Sequence, residues 1–181
     1  MAQQTSSQTS RPRDPDTLRR NIKEGALYGL IAGAIFAVAE IGASAAMGDP
    51  ALMPVRMFAS ILLGQAALQE VAIGTAVVVG LLVHFALSAI FGVAYGAINN
   101  VFSQATRADV ARQAGIGLGF GAVLWFVNFQ IIARLLFPWF LMANQFAQLI
   151  LHAVFFGLLL GLMFAAAERR VEQPRRAQAP A

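Results

Sequence analysis

Residues 71–98 read VAIGTAVVVGLLVHFALSAIFGVAYGAI, without a single Lys, Arg, Asp or Glu. At about 1.5 Å of rise per residue such a helix is roughly 40 Å long, more than the ~30 Å of hydrocarbon in a bilayer. Three further apolar runs are long enough to cross as well, near 25–47, 115–137 and 145–167. The chain therefore reads as all-α, an integral membrane bundle of four helices. Its composition agrees: 58% of its 181 residues are hydrophobic and 12% charged, against about 45–50% and about 25% in soluble domains. A solvated globular domain is excluded, and with no Cys so is a disulfide framework.

Charge sets the orientation. Arg19, Arg20 and Lys23 precede the first span, Arg107 and Arg112 separate the second from the third, and Arg169, Arg170, Arg175 and Arg176 follow the fourth. Between the first and second spans there is only Arg56, and between the third and fourth there is no Lys or Arg. The positive-inside rule then predicts cytoplasmic N- and C-termini and a cytoplasmic middle loop. The net charge of +4 is accounted for as an orientation signal, and no nucleic-acid partner is implied.

Residues 1–24, rich in Gln, Ser, Thr, Arg and Pro, are expected to be a disordered cytoplasmic tail, and 168–181 a basic one. Segment 51–70 is too short and polar for a confident span. It is placed as a short helix lying at, or dipping into, the outer face. The first span also imitates a signal peptide, with Ala43-Ser44-Ala45 as cleavage site, but Glu40 sits where the apolar region of a leader belongs.

Offset by 88 residues, Gly29-Leu30 and Gly33-Ala34 match Gly117-Leu118 and Gly121-Ala122, Glu40 falls on Asn128, and Pro50 on Pro138. This predicts two hairpin pseudo-repeats related by a twofold axis along the membrane normal. Each span carries a small-xxx-small pattern: Gly25/Gly29/Gly33, Gly92/Gly96, Gly117/Gly121 and Gly157/Gly161. Close backbone approach through such patterns drives helix association in lipid. Gly64 lies outside these stripes.

The intramembrane polar residues occupy the middle and outer half: Glu40, Ser44, His84, Ser88, Asn128, Gln145, Gln148 and His152. Glu40 and Ser44 continue the Gly29–Gly33 stripe, and Asn128 continues Gly117–Gly121. His84, Ser88, Phe91 and Tyr95 share one face, as do Gln145, Gln148 and His152. A bundle tight inside and wider outside is expected, with Glu40, His84, Ser88, Asn128 and His152 as a polar cluster. A structural reading stands beside this one. Glu40 could pair with Arg134 or His84, the Gln, Ser and Asn side chains could bridge helices, and Arg56 and Arg134 could snorkel. Trp125 and Trp139 read as lipid contacts or interface anchors.

The string His84-x-x-x-Ser88-x-x-Phe91-x-Val93-x-Tyr95, the glycine-rich start of the third span, Pro138-Trp139 after it, and a His in the fourth ahead of a basic tail resemble the YagU-type inner-membrane proteins. Residues 53–64, MPVRMFASILLG, are similar to a segment of related four-helix bacterial families. The resemblance implies a bacterial inner-membrane location and no particular reaction.

Walker loops, H-E-x-x-H and nucleophile elbows are all missing from the sequence, so no enzyme is expected. The first functional expectation is a site that binds or relays protons or a small cation, since intramembrane ionisable groups are functional by default and histidine titrates near physiological pH. A second is a structural or accessory subunit, docked by its glycine faces to a larger membrane complex or a second copy. A third is a b-type haem held by His84 and His152. No metal is specified.

Overall fold

The computed structural model describes the backbone of residues 15–177 and the side chains of residues 15–171. Residues 1–14 of the expected N-terminal tail and 178–181 of the basic tail lie outside the described residues. Every regular element described is helical: α1 (Pro15–Ala46), α2 (Met53–Leu63), α3 (Ile73–Asn99), α4 (Gln104–Ala108), α5 (Val110–Leu136) and α6 (Gln145–Val171). Four of these, α1, α3, α5 and α6, are long and apolar enough to cross a membrane.

The first helix begins at Pro15, ten residues before the expected span, which corrects the reading of 15–24 as disordered. Pro15 suits a first turn, where its missing N–H is no loss, and Asp16 places negative charge at the positive end of the helix dipole. Asn21 then continues the inward stripe of Gly25 and Gly29, 1% exposed. The polar composition of this stretch hid that periodicity. At 32 residues the helix is longer than the hydrocarbon core of a bilayer requires.

α1 packs along α3, and α5 along α6, giving two antiparallel hairpins, with α1 also against α6. Each hairpin closes on a glycine seam. A Cβ on Gly25 would run into the Gly92 carbonyl, one on Gly29 into that of Ser88, and one on Gly96 into that of Asn21. In the second hairpin a Cβ on Gly117 would meet the Gly157 carbonyl, one on Gly121 that of His152, and one on Gly161 that of Gln113. Gly33 differs, facing the Ser88 side chain. Backbone touches backbone in both seams, the contact that only glycine permits and that substitutes for hydrophobic collapse in lipid.

The seams change the register between hairpins. By contact, Gly25 corresponds to Gly117 and Asn21 to Gln113, pairs 92 residues apart, one helical turn beyond the 88-residue offset of the sequence match. Glu40 then corresponds to Ile132 and not to Asn128. Glycine matches fit equally well one turn out in a helix with a repeating glycine, and interhelix contact separates the two registers.

Aromatic side chains fill the centre: Phe36 from α1, Tyr95 from α3 and Phe156, Leu160 and Phe164 from α6, each at most 4% exposed. The outer faces are apolar too, with Val38 73%, Leu82 68% and Leu135 75% exposed. Only 28–39% of each span is buried within the protein, so the remaining apolar surface faces lipid. The chain is a multi-pass membrane protein.

Candidate functional site

The glycine seams close one half of the bundle; the other half is held open by large side chains and by α2. Pro54 opens α2 in its first turn. The helix lays its buried face, including Val55, Met57 and Ser60, on α3, where the Val55 carbonyl sits against Gly80. Arg56 does not reach for solvent: its Nη1 donates to the carbonyls of Ala67 (2.8 Å) and Val71 (3.0 Å), fixing the turn after α2. Trp139 Nε1 donates to Ser60 Oγ at 2.7 Å, tying the α5–α6 connection over this helix. Segment 51–70 is thus a wall of the bundle, a role its modest polarity concealed.

Two adjoining cavities lie behind that wall. The larger, about 260 Å³, is bordered by Glu40, Asn128, Gln148 and His152 among Met57, Phe58, Phe91, Phe129, Phe137 and Phe140. The smaller, about 60 Å³, is bordered by His84, Ser88, Asn128 and His152 with Phe36, Phe58 and Phe156. All five residues of the expected cluster therefore border one cavity system, with Asn128 and His152 shared by both parts.

Hydrogen bonds define the state of each group. Glu40, 7% exposed, accepts from Gln148 Nε2 at 2.8 Å on one carboxylate oxygen. Its second oxygen, Oε2, and Gln148 Oε1 are buried without a protein partner. The Glu40–Arg134 and Glu40–His84 pairings considered from sequence are not formed: Arg134 donates to Gln130 Oε1, its Nη2 at 2.9 Å, and the His84 ring goes elsewhere. His84 Nε2 lies 2.8 Å from the Gly33 carbonyl, and His152 Nδ1 2.8 Å from that of Gln148. A carbonyl only accepts, so each of these nitrogens carries the proton. In the neutral rings His84 Nδ1 and His152 Nε2 are left as acceptors.

Ser88, a member of the expected cluster, bridges no helices: its Oγ donates to the His84 carbonyl at 2.8 Å within its own helix. The positioning is done by Gln148 and by two backbone carbonyls. Gln148 stood in sequence as a helix bridge, and its spacing of four from His152 was the available signal. Both α5 and α6 pass the cavities as π-helix, over Phe126–Ile132 and Leu151–Leu158. Such segments recur at functional sites because an extra residue per turn re-aims side chains; here they carry Asn128 and His152.

The haem arrangement does not fit. Phe36 packs against both imidazoles, ring centroids 5.8 Å from His84 and 5.0 Å from His152. The space the two histidines share, about 60 Å³, is smaller than the roughly 150 Å³ that admits benzene. Among the described residues no three His, Asp or Glu side chains converge to hold a metal.

At the opposite end of the bundle lies a network that sequence reading missed. Glu168, 5% exposed, takes Arg20 Nη2 at 2.6 Å and Arg107 Nη2 at 3.3 Å. Tyr95 donates to Gln113 at 2.9 Å, and Gln113 to Asn99 at 2.8 Å. These bonds join α1, α3, α4, α5 and α6 where the N-terminus, the α3–α5 connection and the end of α6 meet. Glu168 had been read as the first residue of a tail.

No family model, curated protein or solved structure matches this chain.

Proposed function

We propose that the chain is a bacterial inner-membrane protein, of the YagU type, whose cavity site binds protons or a small cation and exchanges one for the other at Glu40. The observation that carries this reading is Glu40 itself, a carboxyl group 7% exposed at membrane depth, bordering a cavity and satisfied on only one oxygen. An intramembrane carboxyl group is costly and is retained where it has a task. A purely structural Glu would be expected to find partners for both oxygens, as Glu168 does. On α3 the residues that carry the YagU-type resemblance, His84, Ser88 and Tyr95, are all buried and form the inward face. The inner-membrane location and the cytoplasmic termini rest on the Lys/Arg distribution. No catalytic step is assigned to the site.

Binding is favoured over a continuous relay, since the half of the bundle beyond the cavities is closed by backbone contact at the glycine seams. The test is the melting temperature of purified protein between about pH 5 and 8, the range in which an only modestly perturbed histidine changes charge. Wild type should vary across it, and the Glu40→Gln/His84→Ala variant should flatten. Equal profiles would make the cluster a set of helix bridges and the accessory-subunit reading the better one.

A further inference from the structure

We propose that the cation taken by this cavity is organic: a primary ammonium group on an apolar body about the size of one aromatic ring. This rests on the reading of Glu40 as an exchange site and names its substrate class. Three observations carry it.

The first is the unmatched pair of acceptors. Glu40 Oε2 and Gln148 Oε1 are both buried without protein partners, and their residues are joined by a hydrogen bond and border the same cavity. With Glu40 ionised, the two orphaned acceptors are matched by a ligand with at least two N–H donors, which a primary ammonium supplies and a quaternary one does not.

The second is the wall. Apart from its polar corner the cavity is apolar and aromatic, with Phe58, Phe91, Phe129, Phe137 and Phe140 around it. A hard inorganic cation needs six or so oxygen ligands, which such a wall cannot supply. An alkyl or aryl body is well matched to it, and the negative faces of aromatic rings favour the charged head.

The third is size. A cavity near 150 Å³ admits benzene, so about 260 Å³ admits a ring with a short polar arm.

A proton and the ammonium group compete at Glu40. A proton on Oε2 turns that oxygen into a donor, whereas the ammonium group requires the carboxylate. Binding to the protonated site therefore releases one proton. The titratable groups facing the site are His152 on α6 in the same cavity and His84 on α3 in the adjoining one. Asn128 on α5 is polar without titrating, and α2 contributes only apolar side chains.

The experiment uses the full chain in detergent with 2-phenylethylammonium, its neutral counterpart propylbenzene, and sodium chloride as the inorganic control. The ammonium compound should raise the melting temperature saturably and release protons into weak buffer, and Glu40→Gln should weaken its binding by about tenfold or more. Ala143→Phe narrows the cavity from the α5–α6 connection and leaves the carboxyl group in place. It should lose amine binding and keep the pH profile of the wild type, and it carries the test if Glu40→Gln does not fold. Amine binding no stronger than that of propylbenzene, or unaltered in the variants, overturns the proposal. If amine fails to bind while the Glu40-dependent pH profile persists, the ligand class is wrong and the exchange site stands; if the profile is absent too, both fall.

Discussion

Glycine by glycine, the structure separates positions that look alike in sequence. Gly92 has the Gly25 carbonyl and the Gly29 Cα against it, whereas Gly119 faces open space. Gly92→Ala must push two backbones apart and is expected to cost about 1–3 kcal/mol, as overpacking does. Gly119→Ala should gain about 0.5–1 kcal/mol from reduced chain entropy. Gly33→Ala meets both the Ser88 hydroxyl and its Cβ; the hydroxyl can turn at the expense of its bond to the His84 carbonyl, but the Cβ is fixed to α3, so the two helices must part there too. Gly64 lies outside the seams, with space around it, yet its φ of 72° and ψ of −176° belong to a region essentially reserved for glycine. Any side chain there is strained by about 1–3 kcal/mol, so its position off the stripes does not make it tolerant. Melting temperatures in one detergent give the order: Gly119→Ala above wild type, and Gly33→Ala and Gly92→Ala below it. A Gly92→Ala protein as stable as Gly119→Ala would contradict the seam. The sequence revealed which glycines recur at helical spacing; the partner of each, and a positive φ, are properties of the folded chain.

At the scale of elements, the start of α5 carries a local signal that can be tested by pH. Asp109 Oδ1 accepts the Arg112 amide at 2.9 Å as N-cap, and that bond holds the Asp109 carboxyl below the usual aspartate range. A depressed value means that the cap's contribution is present above the unfolded aspartate value and is lost as pH falls through the folded one. Amides of the first turn of α5 should therefore lose hydrogen-exchange protection in acid in wild type. In Asp109→Ala they should be unprotected throughout, and in Asp109→Asn, which caps without titrating, the loss with pH should vanish. The same protection in all three proteins would mean that packing alone holds this turn. The four long helices were legible because apolar length is a strong signal. α2 was legible as a short helix but not as a wall of the bundle, and the first ten residues of α1 were not legible as helix. Arg56, expected to snorkel, donates to turn carbonyls, and Asn21, expected in a disordered tail, is buried with its carbonyl against Gly96 and its side-chain nitrogen unpartnered. The π-helical stretches left no mark in the sequence at all, because an extra residue per turn follows from packing against neighbours and not from local preference.

For the whole molecule, the two ends differ chemically, and that difference carries an expected orientation in the membrane. Glu168 with Arg20 and Arg107, and Arg169 Nε donating to the Ala108 carbonyl at 2.8 Å, gather cations and one buried carboxylate at the end where α1 starts and α6 finishes. The cavity end has Arg56 and Arg134, both engaged locally. The positive-inside rule predicts that the first end is cytoplasmic; the site proposed at Glu40 would then lie toward the outside and take its ligand from that side or from the outer leaflet. The chain contains no cysteine, so single cysteines report the orientation without background. Ala105 in α4 and Met142 between α5 and α6 are both exposed, Met142 at 71%. In intact spheroplasts an impermeant thiol reagent should label Met142→Cys and leave Ala105→Cys unlabelled, and after permeabilisation both should react. The reverse pattern would place the cavity toward the cytoplasm, and the proton and ammonium gradients acting on Glu40 would then have the opposite sense. Labelling of both sites in intact spheroplasts would mean that the four long helices do not separate these two ends across a membrane.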